Sequence, residues 1–429
     1  MNGMSISIRI RLSVMMFLQY MMLAVWSVPL AAYLTNMGVE GIYKAAILSS
    51  IGLGCLASPI ICMIADRHFA SQKVLTILNF GCAVLFFLAA RQTNPMMLFV
   101  ILLLGMFCYM PTWSLTNAIA MTHAPSEKFP QIRVFGSIGW VASGIFSYVA
   151  GWKLFGQTEI DGTSIPLICG AGTALVTALI NLTLPDTPPP AKGKEASIVD
   201  ALGLRALVLL KNFNFALFSI IAMLVMIPFT MYWSYGSQFF QDMGFEKITI
   251  TMNWGQFVEM FVMLLVPIAL ARYGVKWTMV VGLVALLVRY VAFLTGGIFD
   301  YTSLYFVAIL VHGIIFGFFF VGGQVYVDKK APKEIRAQAQ GFIFLVCYGI
   351  GMLIGNFFNG KLISHYTTET IVDGVAQKAY DWNTIWTITT IISVVLLASF
   401  CLVFRDDVTK TGGPMTASQS SDQQQMKES

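Results

Sequence analysis

The chain has 429 residues, 57% of them hydrophobic and only 11% charged, with a mean hydropathy of +0.75. A water-soluble domain is about a quarter charged, so this chain lacks the polar residues to cover itself in water and reads as an all-α integral membrane protein. Its net charge of +5 sits in short loops and forms no continuous patch, which argues against nucleic acid as a partner and leaves membrane lipid and a small solute.

A helix needs about 20 mostly apolar residues to cross a hydrocarbon core roughly 30 Å thick. In chain order, that window predicts about twelve spans, at 12–34, 42–65, 73–91, 96–120, 130–152, 164–184, 213–236, 250–271, 277–297, 303–326, 337–360 and 383–404. The first follows Arg9 and Arg11 as a signal peptide would. Its run exceeds the ~7–15 apolar residues of such a peptide, so it is predicted to stay as span one.

The longest polar interruption, PDTPPPAKGKEAS at 185–197, divides the chain. Residues 1–184 form a six-helix half, 185–211 a central cytoplasmic loop, 212–404 a second half and 405–429 a polar, disordered tail. Within the loop, SIVDALGLRALVLLKN is predicted to make a short helix on the membrane surface. If the N-terminus is cytoplasmic, 18 of the 26 Lys and Arg lie inside and 6 outside, with Arg133 and Arg289 in spans. That asymmetry predicts an even span number and both termini in the cytoplasm of a bacterial-type inner membrane.

Six spans, a basic loop and six spans is the layout of the major facilitator fold. The loop ADRHFASQKV after span two, with Asp66, Arg67 and Lys73, resembles that superfamily's G-x-x-x-D-R-x-G-R-K loop. Asp66 and Arg67 are therefore candidates for a conformational gating loop. Cys62 stands where the first glycine would be and the second is missing; the matching loop after span eight, ARYGVKWTM, keeps Gly274.

A charge at mid-bilayer costs roughly 2.5–3.5 kcal/mol on insertion scales, so one that is present faces a partner or a watery cavity. Arg133, Glu259 and Arg289 are such residues, with His312 as a fourth titratable group. Glu259 lies about ten residues into span eight, at 1.5 Å per residue near the midplane. Helical spacing puts Arg133, Ser137 and Trp140 on one face of span five and Gln256 and Glu259 on one face of span eight. On span ten, His312 and Phe316 are one turn apart. Charge, amide or hydroxyl, and aromatic plate together suit a small polar ligand with a flat ring. The competing reading is an Arg133–Glu259 ion pair that only locks helices together. Arg133 is predicted to face the cavity with Glu259 as partner, and Arg289 to be neutralised by backbone or water.

The seven cysteines lie singly in apolar runs and read as core residues, and GIGMLIGNFFNG (349–360) offers small residues for close helix packing. The four histidines (68, 123, 312, 365) are scattered, no acidic pair has metal-ligand spacing, and no phosphate-cradling GxxxxGK[ST] loop occurs. An enzyme, an ATP-driven pump and a resident cofactor or metal are all disfavoured.

YMPTWSLTNAIA (109–120), FPQIRVFGSIGW (129–140), the Gln256–x–x–Glu259 pair, LARYGVKWTM and YVDKKAPKEIRAQAQG (326–341), with FLQY near residue 18 and LPDTPP at 184–189, together resemble the bacterial nucleoside permeases. These are the nucleoside:proton symporters among the major facilitators. The resemblance implies nucleoside uptake across an inner membrane, driven by a proton gradient; the carrier is expected to be a monomer. It implies a site lined by Arg133, Ser137, Trp140, Gln256, Glu259 and Phe316, with His312 one turn before the last. Two positions depart from the family. Thr230 and Trp233 stand on span seven where the family often has a glutamine and an asparagine. Gly317 stands where it commonly has an aspartate thought to serve coupling. Either Glu259 or His312 takes the proton, or coupling is weaker, or the solute is a sugar, a peptidoglycan fragment or a drug-like molecule.

Overall fold

A computed structural model describes residues 5–124, 129–150, 159–189, 204–332, 335–372 and 375–408. Over the described residues, every predicted span coincides with helix. Without water, each backbone N–H and C=O must be paired within the segment, which leaves helices as the way for single apolar runs to cross. Nine helices are long and apolar enough to do so among the described residues. The remaining spans are explained locally. Ile248–Ile298 is one helical run of 51 residues that contains two spans, because Gly274 at φ 74° breaks it. That conformation costs glycine nothing and most other residues a good deal. Gly41–Leu48 and Ser50–Met63 are long and apolar enough to cross when taken together, across a bend of 48°, and Ile165–Asn181 is an apolar helix of 17 residues. Polar side chains start several helices: Asn94 Oδ1 accepts from the Met97 N–H at 3.0 Å, and Asn212 Oδ1 from that of Phe215 at 3.1 Å.

Spans one to six pack mainly on one another, as do spans seven to twelve; the halves meet where span two touches eleven, five touches eight and one touches seven. Inside the first half, Gln19 of FLQY is fully buried. Its amide nitrogen donates to Thr112 Oγ1 at 2.6 Å, its amide oxygen accepts from Asn79 at 3.0 Å, and its carbonyl accepts from the Tyr109 hydroxyl at 2.7 Å. Spans ten and eleven each contain a π-helical stretch, Ile315–Val321 and Leu345–Gly351, a local widening that often marks functional sites.

An antiparallel hairpin that hydropathy does not predict lies between spans eleven and twelve, β1 (Thr367–Val372) and β2 (Val375–Tyr380), with Thr367 opposite Tyr380. Of the segment read as a surface helix, Leu204–Lys211 forms a 3-10 helix. Its earlier part and the tail beyond 408 lie outside the described residues. Arg67 donates to the Met63 carbonyl at 3.1 Å, and the side chain of Asp66 lies outside the described residues.

The side of the molecule away from the termini is closed by contacts between the halves. Lys44 Nζ donates to Gln238 Oε1 at 2.6 Å, Gln241 to Asn36 at 2.6 Å, and Lys378 of β2 pairs with Glu40 at 2.7 Å. Asp161, in the loop after span five, accepts from the Thr249 N–H and hydroxyl, both at 2.8 Å. Toward the termini the halves stand apart around a cavity of about 590 Å³.

Candidate functional site

Two glycines bring spans eight and ten into backbone contact at the level of the charges. A Cβ on Gly313 would sit 2.6 Å from the Glu259 Cα, and one on Gly255 would sit 2.8 Å from the Ile309 carbonyl oxygen. Those distances admit only hydrogen. The contact sets Gln256 Nε2 2.8 Å from His312 Nε2 and leaves Glu259 Oε2 3.7 Å from the same nitrogen. Gly313→Ala is therefore expected to hold the two spans apart and cut transport at least tenfold while the protein still inserts, since displacements near 1 Å at a reacting centre can cost about a hundredfold. Uptake normalised to membrane-inserted protein, checked by size-exclusion profile, measures it.

Span nine completes the cluster. An Arg289 terminal nitrogen lies 2.9 Å from His312 Nδ1, its Nε donates to the Ala308 carbonyl at 3.0 Å, and its guanidinium lies 4.1 Å over the Tyr232 ring. Arg289 is 0% exposed and His312 1%. The backbone contact expected of Arg289 is present; its contact with His312 was not anticipated. On span seven, Trp233 stacks on the imidazole at 5.8 Å and 19°, and Phe229 and Tyr232 pack 5.8 and 5.7 Å from it. Trp233 also meets Trp140 of span five at 5.3 Å. One indole thus comes from each half.

Arg133 lies on the same level but makes no ion pair with Glu259 among the described residues. Its guanidinium rests 4.4 Å over the Tyr20 ring, a cation–π contact that sheathes the charge. Tyr20 was not singled out individually, although it lies in the FLQY motif; no local pattern links residue 20 to residue 133. Phe316 extends the aromatic column, 6.5 Å from His312 and 5.9 Å from Phe320. Ser137 shares the Arg133 face and is half-buried. Thr230 stands apart: it is fully buried, its hydroxyl donates to the Met226 carbonyl at 2.8 Å and accepts from Asn359 at 3.0 Å. It serves the contact between spans seven and eleven.

The space among Trp140, Trp233, Asn253 and Gln256 is only about 20 Å³, room for about one water. The large cavity begins below it, toward the termini, lined by Trp113, Asn117, Phe320, Gln324, Phe344 and Tyr348. Its 590 Å³ falls in the range of about 300–1,000 Å³ that small-molecule sites occupy. An aromatic layer joins the two regions: Trp113 stacks on Tyr20 at 5.6 Å, and Phe320 packs 4.9 Å from Phe229. A ring entering from the cavity meets stacking surfaces first and the polar cluster behind them. No group of three or more His, Cys, Asp or Glu able to hold a metal occurs among the described residues.

Residues 4–409 match the family described as nucleoside H+ symporter. The chain is 35% identical to YegT of Escherichia coli (strain K12), an alignment covering 92% of this chain and 93% of that one. It is 30% identical to the xanthosine permease of the same organism, covering 89% and 92%. The crystal structure of the nucleoside transporter NupG superposes with a TM-score of 0.81 at 28% identity, covering 93% of this chain and all of that one. A bacterial homologue of the lysosomal transporter Spinster superposes at 0.73 with 13% identity over 96% and 98% of the two chains, a likeness of fold alone. The fold is that of the major facilitators.

Proposed function

We propose that this chain, which belongs to the nucleoside H+ symporter family, carries nucleosides across the inner membrane together with protons, by alternating access. The observation that carries the reading is the place of Glu259. It is 13% exposed, 3.7 Å from His312, and beside the contact of spans five and eight where the halves meet. A carboxylate there changes charge exactly once per proton and so can bias which side opens. With both termini in the cytoplasm, the cavity faces inward and the Asp161–Thr249 side is the closed outer face. Arg133, Ser137, Trp140, Gln256 and Phe316 hold the solute; Glu259 and His312 serve the proton in place of the acid absent at Gly317. The carrier works as a monomer with no cofactor beyond the coupling ion.

Trp233 favours a second reading. It fills the region where related carriers offer an amide, and so little space is left beside it that a solute other than a nucleoside is the alternative cargo. Labelled uridine and adenosine, presented to proteoliposomes with and without an imposed inward proton gradient, test both. Gradient-driven accumulation is expected. Equilibration alone means an uncoupled facilitator, and no uptake by folded protein moves the cargo to a sugar, a peptidoglycan fragment or a drug-like molecule.

A further inference from the structure

We infer that Arg289 is a positioning residue: it fixes His312 as the neutral tautomer with its proton on Nε2, so that His312 donates a hydrogen bond toward Gln256 and Glu259 and does not itself carry the coupling proton. The inference rests on the transport reading above and narrows it to Glu259 as the proton carrier.

The reasoning needs only donors and acceptors. A guanidinium has five N–H donors and no lone pair. With an Arg289 terminal nitrogen 2.9 Å from His312 Nδ1, that ring nitrogen must accept. A neutral imidazole then carries its hydrogen on Nε2. A second proton on Nδ1 would set two donors against each other inside a fully buried contact. Arg289 cannot swing away easily, because its Nε is tied to the Ala308 carbonyl at 3.0 Å and its plane lies on Tyr232. The imidazole is held in turn by Trp233 and Phe229.

The same logic continues outward. The Nε2–H requires an acceptor, so the Gln256 amide, 2.8 Å away, turns its oxygen to His312. Assignment of amide oxygen and nitrogen follows from such a network rather than from atom positions. The Gln256 NH₂ is then a free donor for the solute, which must offer an acceptor oxygen or nitrogen there. Glu259, 3.7 Å from the same Nε2, is the competing acceptor when ionised. The charged and titratable groups around His312 among the described residues are Glu259 from span eight, Arg289 from span nine and Tyr232 from span seven.

Nitrogen NMR of the full-length protein with ¹⁵N-labelled histidine tests the tautomer directly; His312→Gln identifies the signals among those of His68, His123 and His365. Protonated Nε2 and bare Nδ1 throughout the pH range of transport are expected. A proton on Nδ1, or a signal that titrates with uptake, overturns the inference. Transport supplies an independent arm. His312→Gln, whose amide offers an acceptor and a donor without titrating, should keep the pH profile of uptake. Arg289→Met should lower uptake roughly 10- to 100-fold, the scale of one hydrogen bond to a charged group, and shift that profile by releasing the imidazole. Combining the two substitutions should return the profile to that of the wild type. An unshifted profile in folded Arg289→Met refutes the assignment; if that variant fails to fold, the wild-type NMR decides. Absence of nucleoside uptake by the wild type would strike the transport reading and leave the NMR result standing.

Discussion

Glu259→Gln is expected to abolish accumulation while leaving exchange. A carrier that moves one proton with its solute draws on about 2.3 kcal/mol per 100 mV of membrane potential. At 1.4 kcal/mol per factor of ten, that is an accumulation of about 40-fold. The amide keeps the shape of the side chain and its acceptor toward His312 Nε2, so the packing of Gly255 and Gly313 against their neighbours survives. What it lacks is a proton to gain or lose. In proteoliposomes the concentration ratio at steady state should fall to about one. Counterflow of labelled against unlabelled solute, which needs only the alternation of a loaded carrier, should stay within severalfold of wild type. Intact accumulation would remove Glu259 from the coupling role and point to another acid.

The contrast between what could and could not be read from the chain is physical. Hydropathy is a property of consecutive residues, so the apolar runs that form the helices were legible. So was the special status of Arg133, Glu259 and His312, because an ionisable group in an apolar run stands out on its own. Partners were not legible. Arg289 and His312 lie 23 residues apart on different spans, and Tyr20 and Arg133 more than a hundred; nothing local joins them. The expected Arg133–Glu259 pair assumed that opposite charges at one depth must meet. In the structure Arg133 acts on Glu259 through space without closing to ion-pair distance, an aromatic ring sheathes its guanidinium, and the imidazole is the nearer neighbour of Glu259. Thr230 was placed by resemblance at a solute-facing position. Its face of span seven packs against Gly355 and Asn359 of span eleven, which helical spacing alone did not reveal. The hairpin carries a two-residue turn signal of its own, Asp373–Gly374 between Val372 and Val375, but hydropathy is blind to it because the segment lies between two strong apolar runs.

A second large effect is expected far from the charges, at the closed face. Asp161 belongs to the first half, yet its carboxylate caps the helix that begins at Ile248 in the second. It accepts from the Thr249 N–H and hydroxyl and from the Ser147 hydroxyl, each at 2.8 Å. The first N–H groups of a helix have no partner within it, and their end of the helix is electropositive. A cap supplied across the interface therefore exists only while the halves are together on this side. Asp161→Ala leaves those donors unpaired in the closed state and free to find water in the open one. At about 2–3 kcal/mol for a hydrogen-bonded charge, the closed-to-open ratio should fall roughly 30- to 150-fold. Spin labels at Ile42 and Phe299, 68% and 62% exposed, in a background without the seven native cysteines, should report longer separations by electron–electron resonance. The pH dependence has a definite sign. Burial raises the Asp161 carboxyl above its usual range, against the lowering effect of its donors. The closed state consequently binds the proton more tightly than the open one, so closure is favoured at low pH and weakens as pH rises through the closed-state value. Asp161→Asn, neutral at every pH but still able to accept from Thr249, should stay closed with that dependence flattened. Labels that do not move in Asp161→Ala would show that Lys44–Gln238, Asn36–Gln241 and Glu40–Lys378 close this face by themselves.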